Sequence, residues 1–280
     1  MLLSYVVSLA IVQGVTEFLP ISSSGHLVLG RDLLVMLGAP PDTGSASDKL
    51  AFDIALHVGT LGAVIAYFRR DVAEIMLGLI DGLTGRGGPR FRLLPLVVIA
   101  TIPIVVVGFL VKDLATDLLR SMEVIAWTTF VFAVGLWAAD RRPEAKGEPA
   151  AMTAKEALMI GLMQCVAIVP GVSRAGICMT AGRFLGFDRP LSARFSLLLA
   201  VPAIIGAGLL GGYDLYRAGN ARMTAEAVIG GCLAFVAAWI AITLMMRWLK
   251  RASYVPFVVY RIVLGLLLLG LLYGAGWSLE

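Results

Sequence analysis

Apolar residues fill six long stretches of the chain, at about 51–68, 93–111, 121–139, 192–212, 224–246 and 256–276. Each approaches the roughly 20 residues that a helix needs to cross the hydrocarbon core of a bilayer. Two further apolar regions, 2–37 and 155–186, are interrupted at their centres by Pro, Gly and small polar residues. The interruptions read FLPISSSGH and IVPGVSRAG. Each arm is too short to cross alone, so each region is predicted to be a re-entrant helix pair that enters and leaves on one side. Such a break leaves backbone N–H and C=O groups unpaired, which a membrane tolerates only inside protein or beside a wet cavity. The breaks are therefore the first place to look for chemistry.

The two broken regions resemble each other. Ser22-Ser23-Ser24-Gly25 aligns with Ser173-Arg174-Ala175-Gly176. Pro20 and Pro170 lie just upstream with a one-residue offset, and Gln13 and Gln164 lie further upstream. Charges between the spans give the relative orientation through the positive-inside rule. Arg69, Arg70, Arg86, Arg90 and Arg92, then Arg141, Arg142, Lys146 and Lys155, then Arg247, Lys250 and Arg251 mark one side. The opposite side holds fewer: Arg31 and Lys49, Lys112 and Arg120, Arg217 and Arg222. Threading six spans through these signs puts both termini outside and relates the halves by inversion, a transporter-like architecture. The predicted fold is an all-α integral membrane protein. It forms a single domain over 1–280, with a first inverted repeat over about 1–120 and a second over about 121–280.

Composition agrees with this pattern. The chain is 59% hydrophobic and 15% charged, with a mean hydropathy of +0.89, whereas soluble domains carry about 25% charged residues. The net charge of +4 does not argue for nucleic acid, because Lys and Arg sit mostly in loops between apolar runs. Cys165, Cys178 and Cys232 are odd in number and lie in apolar sequence, so they read as small core residues. The N-terminus lacks a basic region and a small-residue cleavage site, so no cleaved signal peptide is expected.

Ionisable residues in a membrane cost several kcal/mol, roughly 2.5–3.5 on insertion scales, and so require a reason. The first break holds Glu17 and His26 around Ser22, Ser23 and Ser24; the second holds Ser173 and Arg174. If the breaks meet, these groups suit phosphoryl transfer. A serine can attack phosphorus once a base takes its proton, and His26 or Glu17 can be that base. Glu17 could equally orient His26 or hold a divalent cation. Arg174 matches a phosphate's paired oxygens. The Gly and Ser residues expose N–H groups at helix starts, where anions bind. Serines in membrane helices ordinarily hydrogen-bond to backbone, and Ser24 is open to that reading. The other ionisable residues take plainer readings. His57 is a packed histidine, and Asp53 a cap or interface residue. Arg183, Arg189 and Arg194 are topology charges, and Arg261 snorkels to the interface.

QGVTEFLPISSSGH (Gln13–His26) and QCVAIVPGVSRAG (Gln164–Gly176) closely resemble the two signature motifs of the bacterial undecaprenyl pyrophosphate phosphatase family, the bacitracin-resistance type. The resemblance extends over essentially the whole chain. It implies removal of the terminal phosphate of the C55 lipid pyrophosphate, which returns the monophosphate carrier to cell-wall assembly and confers bacitracin resistance. It also implies a homodimer in the bacterial cytoplasmic (inner) membrane, with six spans, two re-entrant pairs and a site facing the periplasm. Activity is implied to need a divalent cation, Mg or Ca. The implied nucleophile is Ser23 with His26 as partner, and Glu17 belongs to the acidic motif that begins at Gln13. Ser173 and Arg174 are implied phosphate ligands, with Gln13, Ser22, Ser24, Gly25 and Gly176 completing the phosphate-binding set. Two departures stand out. Gln13 cannot carry charge, which leaves Glu17 as the carboxylate. Ala175 stands where the family usually has Ser. The rival reading is a flippase for a polyprenyl phosphate, since carriers also use broken helices. A carrier needs an anion site but no nucleophile and base.

Overall fold

A computed structural model describes residues 3–38, 46–84, 93–111, 121–145, 147, 152–218 and 221–275, with side chains described outside 46–48, 50, 207–218, 221–224 and 275. Every regular element among them is helical. The order is α1 (Leu3–Thr16), α2 (Ser23–Met36), α3 (Ala46–Tyr67), α4 (Arg69–Leu83), α5 (Leu93–Val111) and α6 (Met122–Asp140). Then follow α7 (Ala154–Gln164), a short 3₁₀ turn (Cys165–Ile168), α8 (Arg174–Phe184), α9 (Arg189–Ala218), α10 (Ala221–Leu249) and α11 (Val255–Ala275).

Helices α5, α6, α9, α10 and α11 are long and apolar enough to cross a membrane, and α3 with α4 makes a sixth candidate if that bent pair is one span. These match the six apolar stretches. The region after residue 68, read as a loop, is instead helical. At Phe68 the chain turns by 90° into α4. Its Arg69 and Arg70 are exposed, while Asp71 is buried against Arg194 of α9. Among the orientation charges, Arg86, Arg90, Arg92, Lys112, Arg120 and Lys146 lie outside the described residues, as do the side chains of Arg217 and Arg222.

Burial runs opposite to that of a soluble protein. Only 17% of α5, an almost purely aliphatic helix, is buried within the protein, against 56% of the first 18 residues of α9. Large side chains such as Val105, Phe109, Val236, Leu266 and Leu267 point outward, while Ser192, Ser196 and Thr60 are inside. Lipid solvates aliphatic surface as well as a protein core does, so hydropathy does not drive these helices together; close packing and polar contacts do. Accordingly, α10 packs on α3 and α1, and α9 on α3 and α8. The backbones nearly touch where Gly59 meets Gly231: a Cβ on Gly59 would lie 2.1 Å from the Gly231 carbonyl oxygen. Cys178 is buried as expected, but Cys232 is exposed.

The arms of the two broken regions, α1, α2, α7 and α8, have 14, 14, 11 and 11 residues. At about 1.5 Å per residue none covers a hydrocarbon core of about 30 Å. Helix α7 starts on a capping box, with Thr153 and Glu156 satisfying each other's backbone. Both breaks share one core: Phe18 of the first and Ala175 and Met179 of the second pack together with Leu61, Val64, Leu197 and Ala238.

Three arginines read as topology charges prove to be structural ties. Arg183 is fully buried and donates to the carbonyls of Phe187 (2.6 Å), Asp140 (3.3 Å) and Arg142. Arg189 binds Asp140 at 2.6 Å and Glu144 at 2.7 Å, and the Tyr254 backbone N–H donates to Asp140 at 3.0 Å. This network joins the ends of α6, α8, α9 and α11. Arg194 pairs with Asp71.

Candidate active site

The two breaks meet at Glu17. It follows the last turn of α1, its N–H still bonded to the Gln13 carbonyl at 2.9 Å, and its residue exposure is 7%. Burial of a carboxylate demands partners, and Glu17 has four. Arg174, at the first position of α8, donates to Oε1 at 2.8 Å. Ser23 Oγ donates to Oε2 at 2.6 Å, and Gln13 Nε2 donates to the same oxygen at 2.9 Å. His57 Nε2 lies 3.5 Å from Oε2. Helix α2, α8 and α3 thus each deliver one polar side chain to a carboxylate at the end of α1.

Local backbone geometry aims these groups. Ser22 and Ser173 are the two non-glycine residues with positive φ among the described residues, at 75° and 71°. Each is the N-cap of the following helix, a conformation that costs an L-residue of order 1–3 kcal/mol and persists only where its surroundings impose it. Ser173 Oγ accepts from the Gly176 N–H at 3.1 Å. At Ser22 the carbonyl is held instead: His26 Nδ1–H donates to it at 2.7 Å.

One guanidinium fastens both breaks. Arg261 of α11 is fully buried, and it donates to Pro20 O (3.2 Å) in the first break and to Gly171 O (2.9 Å) and Val172 O (3.1 Å) in the second. A fourth bond reaches Thr129 O of α6 at 3.2 Å. The expectation that Arg261 snorkels to the interface is therefore overturned. Unpaired carbonyls are what a broken helix leaves behind, and they provide an acceptor set for a fork of five donors. Gly176 packs closely beside it, since a Cβ there would lie 3.0 Å from Arg261 Nη1 and the guanidinium would have to shift.

Glu17, Ser22, Ser23, Ser24, Ser173 and Arg174 line a cavity of about 540 Å³. Its further walls include Leu27, Val28, Ile54, Ile125, Ile168 and Ile204, so a polar end opens onto apolar helix faces. Of the other sequence-derived candidates, Gln13, Gly25, His26 and Gly176 stand behind the lining. Gln13 is fully buried and supports Glu17; its Oε1 has no hydrogen-bond partner among the described residues. Gly25 packs close to Ile125, where a Cβ would come within 3.3 Å. His26 bonds to Ser22 O and, through Nε2, to the Tyr260 hydroxyl at 2.6 Å. Its contacts in the structure are thus to the loop and to α11, while the serine proton points at Glu17. Ala175 is buried in the core at 1% exposure, so the hydroxyl absent at that position is not missing from the cavity wall.

Sequence reasoning passed over three cavity residues. His57, read as a packed histidine, faces Glu17, and Arg31, read as an orientation charge, pairs across the wall with Asp53, read as a cap or interface residue. A histidine in the middle of an apolar span was the available signal for the first. Nothing in the local pattern marked the second pair, because α2 and α3 meet only in the fold.

The donor set does not fit a resident metal ion. Glu17 shares its oxygens among Arg174, Ser23 and Gln13, and Asp53 is engaged by Arg31. No group of three or more His, Cys, Asp or Glu side chains among the described residues could hold one.

The chain as a whole is similar to known proteins. The family described as "Bacitracin resistance protein BacA" matches residues 6–267. The chain belongs to this family. Among curated relatives, the undecaprenyl-diphosphatase of Chromohalobacter salexigens is 45% identical over 268 residues, covering 95% of this chain and 97% of that protein. The enzyme of the same name from Jannaschia sp. (strain CCS1) is 44% identical over 267 residues, covering 95% of this chain and 97% of its own. That of Ruegeria pomeroyi is 42% identical over 275 residues, covering 98% and 100%.

Proposed function

We propose that this protein is an undecaprenyl-diphosphatase, hydrolysing undecaprenyl pyrophosphate to undecaprenyl phosphate and inorganic phosphate at the Glu17 cavity. Family membership and the names of full-length relatives support the activity. The observation that carries the mechanism is the Ser23 hydroxyl donating to Glu17 at 2.6 Å while Arg174 holds the other carboxylate oxygen at 2.8 Å. A nucleophile, its base and an anion ligand meet there, and a flippase would need only the last of these.

In this reading the pyrophosphate head sits among Ser22, Ser24, Ser173 and Arg174, with the prenyl tail along the apolar walls. Ser23 Oγ attacks the terminal phosphorus as its proton passes to Glu17. The bond from phosphorus to the bridging oxygen breaks, and undecaprenyl phosphate leaves. Protonating Glu17 removes the charge that held Arg174, so the guanidinium is freed for the phosphoryl oxygens as negative charge develops on them. Glu17 passes this proton to the departing undecaprenyl phosphate. Water, deprotonated by the same carboxylate, then attacks the phosphoserine phosphorus. The bond from phosphorus to Ser23 Oγ breaks, and Glu17 reprotonates Oγ as inorganic phosphate leaves. His57 steadies the carboxylate, and His26 fixes the Ser22 turn that aims Ser23. A divalent cation, Mg or Ca, is proposed as the counter-ion that accompanies the pyrophosphate, since Mg²⁺ commonly binds through substrate phosphates.

The finer architecture is part of the same proposal: a single domain of two inverted repeats with re-entrant pairs, over about 1–120 and 121–280. The matched turns at Ser22 and Ser173, each after a short helix and a proline, support it. A homodimer in the inner membrane with its site toward the periplasm rests on the family resemblance and the loop charges. The test is phosphate release from C55 pyrophosphate by purified protein in detergent. Ser23→Ala, shown to be folded, is expected to lose about a thousandfold or more in rate. A variant that keeps most of its rate would assign the attack to water, and no release by wild type with Mg or Ca supplied would overturn the reading.

A further inference from the structure

A second concave feature, away from the Glu17 cavity, lies on the outer face of α10. It is an apolar groove of about 550 Å³ walled by Val15 and Leu19 at the end of α1, Ala241, Leu244 and Trp248 of α10, and Phe257 of α11. None of the residues that line the Glu17 cavity lines it.

The groove has a polar end. Ala237, Ile240, Ala241, Leu244 and Trp248 form one stripe of α10 at helical spacing, and the same spacing continues into Arg247 and Arg251. Trp248 is fixed at this end by its indole N–H, which donates to Ser253 O at 2.9 Å. A tryptophan so placed, apolar ring in the groove and N–H at the rim, suits the boundary between acyl chains and headgroups.

The cations there share the exposure of Arg69 and Arg70 but differ from five other arginines read as lying on the same side. Arg183, Arg189 and Arg194 are satisfied by carboxylates or carbonyls, Arg141 lies over the Trp137 ring at 3.8 Å, and Arg142 lies 5.8 Å from the Phe184 ring. Arg247, Lys250 and Arg251 are exposed, and no ion pair with a carboxylate is formed by any of them among the described residues. Three cations without protein anions stand at the mouth of a groove that offers only aliphatic and aromatic surface.

We infer that this groove is a binding site for an anionic phospholipid, with an acyl chain along α10 and the phosphate among Arg247, Lys250 and Arg251. Charge complementarity selects the anionic headgroup, and the groove holds the chain beneath it. The site is independent of the hydrolytic one.

The experiment is native mass spectrometry of the full chain released from nanodiscs of equal phosphatidylglycerol and phosphatidylcholine with identical chains. Wild type is expected to retain phosphatidylglycerol over phosphatidylcholine by about tenfold or more, since each basic residue near a membrane surface contributes about 1 kcal/mol. The triple variant R247Q/K250Q/R251Q and the groove-filling Ala241→Phe should each abolish this preference. Their thermal melts and phosphate release from C55 pyrophosphate should stay at wild-type values, which excludes misfolding and separates this site from the hydrolytic one. Equal retention of both lipids by wild type overturns the inference. Loss of preference in the triple variant alone also overturns it, since the cations then act as a surface patch without the groove. So does displacement of the lipid by undecaprenyl phosphate at equimolar amounts, which would make the groove a product site. A dimer that carries no lipid and dissociates on Ala241→Phe would assign the face to a second copy.

Discussion

At the scale of single residues, Glu17 links everything else in the cavity. Its carboxylate is the acceptor for Ser23, Gln13 and Arg174 at once. Glu17→Gln is therefore expected to match the loss seen in Ser23→Ala, and the double variant should be no slower than either single one, because residues acting as a unit are not additive. Phosphate release from the three variants checks this; additive losses would separate the two roles. His57 shares the same oxygen, and His57→Ala should lower kcat by about a hundredfold. His26 is bonded to the Ser22 carbonyl, through which it is proposed to aim Ser23. His26→Ala should reduce kcat, and His26→Asn, which keeps an N–H for that carbonyl, should recover part of the loss; no recovery would mean that the imidazole itself takes part in the chemistry. The residue types Ser, Glu, His and Arg were legible in the two motifs. Which histidine faces the carboxylate was not, since His57 stands 40 positions from Glu17 on another helix.

At the scale of elements, the breaks depend on one another through Arg261. Four backbone carbonyls from α6 and both loops receive its donors, and each carbonyl left unpaired in a dry interior costs about 1–3 kcal/mol. Arg261→Met is expected to lower the melting temperature by about 10 °C or more, given about 2–4 °C per kcal/mol for a chain of this size. Arg261→Lys, with three donors in place of five, should fall between. A melt of purified protein decides it, and unchanged stability in Arg261→Met would remove the tie. Gly171 tests the same junction from the other side. Its φ is +88°, and a Cβ would sit 2.1 Å from Thr128 Oγ1 and 2.7 Å from the Ile125 carbonyl oxygen. Gly171→Ala should be destabilising, and removing the Thr128 hydroxyl should not restore it, because the carbonyl remains. The sequence placed the breaks by their prolines and glycines. It misread Arg261 as an interfacial charge, because position along a span says nothing about which helix face is turned inward.

For the whole molecule, the proposed orientation, which rests on the family resemblance, puts the cavity on the periplasmic side. In a protein with Cys165, Cys178 and Cys232 replaced by Ala, Ser24→Cys, exposed at the cavity wall, is expected to react with a membrane-impermeant maleimide added outside intact spheroplasts. Labelling only in inverted vesicles would reverse the orientation.

The sequence by itself determined that the chain lives in a membrane, where its spans run, where they break, and which family it resembles. These follow from local quantities: the length of apolar runs, the backbone demands of Pro and Gly, and the spacing of polar residues within a few turns. Only the tertiary structure decided that Glu17 accepts from Ser23, that His57 rather than His26 faces it, that Arg31 meets Asp53, and that Arg261 is buried against two loops at once. The first of these closes a break of six residues through the turn at Ser22, and the others join segments that are separate in sequence. In lipid such contacts are chosen by backbone fit and by the need to satisfy every buried polar group, neither of which leaves a periodic trace in the chain.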